Sequence, residues 1–205
     1  DVKRMLLAQK SYCEGALALE LYCALLVDEQ HTGAPESAAE AGLLLEMLTP
    51  IAKSWPSEWC LEANSLAIQI LGGYGYTRDF PVEQYWRDNR LNMIHEGTHG
   101  IQALDLLGRK VLMDGGKKFG RFARLVEGFL KESAARPELA EFTGPLGKLL
   151  ADTVALTAEI GAKAKANPDE VGAASVPYLR IGGHLAYAWL WARIKSRTPM
   201  LGTYE

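Results

Sequence analysis

Apolar residues recur every three or four positions along most of the chain, the period of an α-helix with one face turned inward. Met5, Ala8, Tyr12, Ala16, Leu19, Cys23 and Leu26 form one unbroken stripe along about seven turns. His31 to Pro35, with Thr32 and Gly33, predicts a loop. Leu43, Leu44, Met47, Leu48 and Ile51 predict a second amphipathic helix, with Pro50 as a point of kinking, that returns antiparallel to the first. Ser57 behind Pro56 is placed to cap a third helix. Its apolar positions are Trp59, Ala63, Leu66, Ala67 and Ile70, and it stops at Gly72 and Gly73.

From Gly72 to Gly97 the period is lost. Gly72, Gly73, Gly75 and Pro81 punctuate the stretch, with one short helix predicted from Pro81 to Asp88. So long an irregular connection inside a domain points to function. Thr98 is placed to cap a fourth helix with Ile101, Leu104, Gly108 and Val111 on its apolar face. Beyond Gly115 and Gly116, helical patterns run from Phe119 to Glu132, Glu138 to Ala166 and Asp169 to about Ser196. No strand-like alternation with turn signals occurs. The expected fold is therefore all-α: a helical bundle over residues 1–114, then a second small helical segment over 117–205. In that segment Ala151, Ala155, Ala158 and Ala162, and later Gly182 and Gly183, favour close helix packing. Trp189 and Trp191 either pack within the segment or cover another surface.

Composition narrows the class. With 48% hydrophobic and 23% charged residues in 205, the chain reads as a globular protein and not as a disordered or collagen-like one. The 22 Lys+Arg against 25 Asp+Glu give no electrostatic footprint for nucleic acid, and the longest basic cluster is Lys117 and Lys118. Three cysteines, Cys13, Cys23 and Cys60, build neither a disulfide framework nor a four-thiolate zinc site, so buried, reduced thiols in a cytoplasmic protein are expected. No apolar run reaches the roughly 18 residues of a membrane span, and no signal-peptide pattern opens the chain. It starts at Asp1, just before a helical pattern, which predicts a piece of a longer polypeptide.

Two motifs invite misreading. Gly73-Tyr74-Gly75 is not a dinucleotide loop, because position 78 is Arg78 and a helix, not a strand, precedes it. His95-Glu96-Gly97-Thr98-His99 has the spacing of a zinc protease, but Gly97 and Gly100 oppose the continuous helix on which that spacing depends. Ordinary polar histidines are the better reading, so no metal ligands are assigned, and a zinc hydrolase stays as the least favoured alternative.

Taken together, Gln69-Ile70-Leu71-Gly72-Gly73-Tyr74-Gly75-Tyr76, Pro81, Arg87-Asp88 and Ile94-His95-Glu96-Gly97-Thr98 with Ile101-Gln102 resemble the C-terminal helical domain of the acyl-CoA dehydrogenase family. Order and spacing match over residues 60 to 112, and the tail after Gly115 resembles the extra segment of a larger, bacterial-type subgroup. The resemblance implies an enzyme that removes an α proton from an acyl-CoA thioester while a hydride passes to FAD. It makes Glu96 the catalytic base and Gly97 the small residue whose amide helps hold the thioester carbonyl. Alone, a glutamate there would read as support for the helix starting at Thr98. The family's base faces a dry pocket, which raises a carboxylate's proton affinity, while the helix start lowers it. Thr98, His99 and Gly100 match a first helical turn that touches FAD. Gln69, Ile70, Leu71, Gly72 and Gly73 match a segment that reaches the flavin of a neighbouring subunit, and Gln102 matches a further flavin-side contact. His95 stands where many relatives carry tyrosine, and Arg87 with Asp88 reads as a structural ion pair.

The same resemblance implies FAD as cofactor and a homo-oligomer, dimer or tetramer. It also implies N-terminal helical and β-barrel domains elsewhere in the parent chain, and an electron-transfer flavoprotein as acceptor. The 205 residues alone are then expected not to turn over and to bind FAD weakly or not at all. The rival of another class is a non-catalytic helical module for oligomerisation or docking. Among enzymes the rivals are an acyl-CoA oxidase and a nitroalkane-oxidising flavoenzyme, which would use aspartate where this chain has Glu96.

Overall fold

Residues 1–198 are described by a computed structural model, and the end of the tail segment, residues 199–205, lies outside the described residues. Among the described residues the regular structure is helical: α1 (Val2–Thr32), α2 (Pro35–Leu71), α3 (Val82–Arg90), α4 (His99–Leu104), α5 (Lys117–Ser133), α6 (Ala140–Ala166) and α7 (Asp169–Arg197). Short 3₁₀ turns span Gly72–Tyr76, Leu91–Met93 and Pro137–Leu139, and α4 runs on as a π-helical stretch over Asp105–Leu112. No helix among the described residues is long and apolar enough to cross a membrane.

The stripe predicted on the first helix is the buried face of α1: Met5, Ala16, Leu19, Cys23 and Leu26 are all buried. The predicted second and third helices are instead one helix. α2 runs unbroken through Pro50 and Pro56, and Ser57 caps nothing, since its hydroxyl donates to the Ser54 carbonyl at 2.9 Å. Proline removes a backbone donor and would end an isolated helix. Here buried residues on both sides, Met47, Leu48, Ile51, Trp55 and Ala63, fix the helix against its neighbours, so packing overrides the local preference.

The fourth helix departs from its predicted face as well. Val111 is fully buried, but Ile101 and Leu104 are exposed, and Ala103, Leu106 and Leu107 fill the core in their place. A π-helical stretch takes more residues per turn than an α-helix, so a stripe drawn at the α period slips off the buried side. Thr98 does occupy the N-cap position of α4 in extended backbone, yet its hydroxyl makes no cap bond. The short helix predicted from Pro81 to Asp88 is α3.

Gly115 and Gly116 both take positive φ, 68° and 80°, in the turn before α5. Asp114 closes that turn by accepting backbone N–H bonds from Gly116, Lys117 and Lys118 at 2.9 to 3.1 Å. The three tail patterns correspond to α5, α6 and α7. One core joins everything, from Leu19 of α1 and Ile51 of α2 to Phe122, Leu150 and Trp189 of the tail. Trp189 lies inside that core, edge-on to Phe122 and Tyr22, and the Trp191 indole donates to the Ser11 carbonyl. Both tryptophans therefore pack within the bundle.

Candidate active site

The irregular stretch is held to α2 by polar ties that run one after another. Asn89, in α3, donates to the Asn64 side chain of α2 at 2.8 Å, and Asn92 donates to Asn89 at 3.0 Å. The Lys53 ammonium reaches from α2 to the Asn92 carbonyl at 3.0 Å and to the Gly97 carbonyl. Together these bonds fix the loop that carries His95, Glu96 and Gly97 across one side of α2.

Glu96 has φ of 53°, the one left-handed non-glycine backbone among the described residues, and Gly97 follows at 104°. An L-residue with a side chain takes that conformation at some cost, and such outliers gather at working sites. Gln102 steadies the turn from α4, its side-chain amide donating to the Glu96 carbonyl at 3.3 Å. The peptide bond whose oxygen Gln102 holds is the one whose N–H belongs to Gly97, so the direction of that amide is set by a side chain one turn into the helix. A Cβ on Gly97 would lie 2.9 Å from the Gln102 amide nitrogen, which leaves little room for a larger residue.

Beside this turn lies a cleft of about 370 Å³ lined by Lys53, Ser57, Cys60, Asn92, His95 and Glu96. Glu96 is solvent-exposed in it, as is His95. Partial burial holds the Lys53 ammonium below its ordinary pKa, with the charge of Glu96 acting in the opposite sense. His95 and His99 do not share a continuous helix, because residues 94–98 form a turn, and among the described residues no three His, Cys, Asp or Glu side chains converge as metal ligands.

The residues expected at a flavin fall into two groups that the structure holds apart. Thr98, His99, Gly100 and Gln102 sit on the first turns of α4, next to Glu96. Gln69, Ile70, Leu71, Gly72 and Gly73 form the end of α2 and the turn after it. From Lys53, which holds Gly97, to Gln69 the helix advances roughly 24 Å. Gln69, Gly72 and Gly73 are exposed, and a Cβ placed on either glycine would meet nothing within 4 Å, so main chain is open there to a ligand. The His99 ring offers a ligand nothing: both ring nitrogens are buried without a hydrogen-bond partner, and burial lowers the imidazole's pKa.

Two features of the site had no signal in the local pattern. Lys53 is one lysine on a long helix, and nothing in its neighbourhood of sequence ties it to residue 97. Arg180 of α7 pairs with Glu58 of α2, and both carry charge near His99, so the tail braces the underside of the α4 start. Only the three-dimensional approach of residues 122 positions apart reveals that pair.

The chain is thus an all-helical bundle that carries a glutamate on a strained turn at a helix start, over a cleft. Residues 3–124 match the family model described as "Acyl-CoA dehydrogenase, C-terminal domain", and residues 122–197 match "Acetyl-CoA dehydrogenase C-terminal like". The chain belongs to the acyl-CoA dehydrogenase family. It is 40% identical over 193 residues to a 3-methylmercaptopropionyl-CoA dehydrogenase of Ruegeria pomeroyi, covering 92% of this chain and 32% of that protein. It is 32% identical over 201 residues to the "Broad-specificity linear acyl-CoA dehydrogenase FadE5" of Mycobacterium tuberculosis, covering 94% and 33%. The chain thus spans about a third of the length of the curated relatives it matches. In fold it is similar to Caenorhabditis elegans ACDH-11, solved in complex with C11-CoA, with a TM-score of 0.71 at 18% identity over 96% of this chain and 36% of that one.

Proposed function

We propose that the parent polypeptide oxidises an acyl-CoA thioester to the 2,3-enoyl-CoA, with Glu96 as the base that removes the α proton. The observation that carries this reading is the Glu96–Gly97 turn, where a carboxylate in left-handed backbone stands at a cleft in a chain of this family. The turn fixes the backbone that carries this carboxylate, which limits the freedom lost when it reaches its proton. The Gly97 N–H, aimed by the Gln102 bond to the preceding carbonyl, is the donor for the thioester oxygen as enolate charge develops. Lys53 fixes the next peptide unit through the Gly97 carbonyl.

The exposed main chain at Gly72 and Gly73, and the partly exposed start of α4, suit FAD in two different ways. Thr98, the His99 backbone, Gly100 and Gln102 would hold the flavin beside Glu96, and Gln69 to Gly73 would hold the adenosine and pyrophosphate end. Bound there, FAD supplies the acceptor for the hydride that leaves the β carbon. The separation of the two groups along α2 supports a homo-oligomer in which each group serves a different flavin. Glu96 is exposed here, and we assign the walls that dry its cleft to N-terminal and β-barrel domains of the parent chain. The partners we infer are the acyl-CoA and an electron-transfer flavoprotein, and the compartment is the cytoplasm.

The test is the visible spectrum of the full parent chain, recorded anaerobically before and after addition of a panel of saturated acyl-CoAs, beside a Glu96→Gln version. Bound flavin should bleach in the first and do so about a hundredfold more slowly, or not at all, in the second. Equal bleaching in Glu96→Gln would remove Glu96 as base. A yellow protein that no acyl-CoA bleaches would remove the substrate class, and a colourless one would favour the helical docking module.

A further inference from the structure

Away from Glu96, α1, α5 and α7 enclose a second cleft of about 600 Å³ that shares no lining residue with the first. That volume is the size of a small-molecule site. Tyr22, on its wall, lies nine residues along α1 from Cys13, and Cys13 meets Cys60 at the Glu96 cleft, so the two clefts stand roughly 14 Å apart along that helix.

Five arginines reach this cleft, Arg121, Arg124, Arg136, Arg193 and Arg197, against one carboxylate, Glu132. Two of the five are answered from outside its wall: Arg121 pairs with Glu40, and Arg136 with Glu138 at 2.8 Å. Arg136 also donates to the Ser196 carbonyl at 3.0 Å, which ties α5's end to α7. The other three have no ion-pair partner among the described residues. Arg193 is steadied by aromatic faces instead, its guanidinium 4.8 Å from the Trp189 ring centre and 5.6 Å from that of Tyr22. Stacking occupies the plane of a guanidinium and leaves its N–H fork unspent.

A chain with net charge −3 that gathers this many cations around one carboxylate pays in repulsion, which a bound anion relieves. Arginine forks match the paired oxygens of phosphate, and three unanswered forks suit a ligand with more than one negative charge. Among them Leu125, Gly128 and Phe129 add an apolar patch to the lining. We propose that this cleft binds a small nucleotide with two or more phosphates, the phosphates on Arg124, Arg193 and Arg197 and the base against Phe129. The site is independent of the flavin reading, since none of its residues takes part in that one.

Calorimetric titration of the full parent chain with ADP, pyrophosphate, citrate and a short DNA duplex tests it, in the wild type and in an Arg124→Glu, Arg197→Glu double variant. Both arginines are exposed and make no side-chain bond among the described residues, so the fold does not depend on them. Should charge reversal nevertheless impair folding, Arg124→Gln with Arg197→Gln removes the charges without reversing them. ADP is expected to bind at least tenfold more tightly than pyrophosphate or citrate, and at least tenfold more weakly to either double variant. The proposal is overturned by no ADP binding up to about 1 mM, by ADP affinity unchanged in the double variants, by pyrophosphate or citrate matching ADP, or by binding of the duplex without ADP.

Discussion

Cys13 shows how one residue's chemistry follows from a neighbour on another helix. Cys60 donates its S–H to the Cys13 sulfur across the α1–α2 seam, and this bond lowers the Cys13 thiol to about 7, against burial and the nearby Glu14, which raise it. The same bond and its own burial push Cys60 upward, and burial takes Cys23 to about 12. Cys13 is exposed, Cys23 buried. The thiolate is the reactive form, so alkylation of Cys13 by iodoacetamide should rise with pH through a midpoint near 7, while Cys23 stays unmodified in the folded protein. Peptide mapping after short exposures at several pH values checks this. Replacing Cys60 by Ala, which removes the donor, should move the Cys13 midpoint upward, and equal labelling of Cys13 and Cys23 would contradict the assignment. None of this was legible in the sequence, where three odd cysteines exclude a disulfide framework and suggest buried thiols, an expectation that Cys23 meets and the exposed Cys13 overturns.

Among the elements, α2 is where local rules and packing disagree most. Pro56 sits mid-helix and leaves the Ala52 carbonyl without its helical donor, an arrangement disfavoured by about 3 kcal/mol relative to alanine in an isolated helix. Pro56 is only half-buried, at the edge of the Glu96 cleft, so little packing is lost on truncation. Pro56→Ala should therefore raise stability by about 1 to 3 kcal/mol, read as a higher urea midpoint with unchanged slope. A fall would mean that the ring is needed for the cleft wall. The fully packed Pro50 should gain less from the same change, because its ring fills core space. Of the elements that were legible, α1, α5 and α6 bury a single stripe at the helical period, and α7 is buried over most of its circumference from Tyr178 to Ala192. Those misread, the α2 join and the α4 face, are where a helix accepts prolines or widens to a π stretch, and neither leaves a mark on hydrophobic spacing. In the site, the glycine punctuation around Glu96 marked the turn. Its supports, Lys53, Asn64 and Arg180, lie far off in sequence and do not announce themselves. The arginines of the second cleft are spread over residues 121–197, so a search for basic clusters stops at Lys117 and Lys118.

At the scale of the whole molecule, the tail and the first bundle share one core. α7 lies so close on α2 that a methyl group at Gly183 would overlap the Trp55 indole, a rigid ring that is itself buried against Tyr187. Gly183→Ala should lower stability by about 1 to 3 kcal/mol by prising the two helices apart. Denaturant unfolding followed by circular dichroism measures it, and an unchanged midpoint would show that the seam is looser than described. Arg180 and Glu58 bridge the same seam, so the disturbance should reach the start of α4.

The ring stack at this seam also makes the protein optically legible. Trp55 and Trp59 have centroids 5.4 Å apart, Tyr12 and His184 abut both, and Tyr187 lies 3.7 Å from Trp55. Indoles at that separation couple their excited states, so the near-ultraviolet dichroism of the pair is fixed by how α1 and α7 clamp α2. Light absorbed there reports the docking of the tail in real time, without any label.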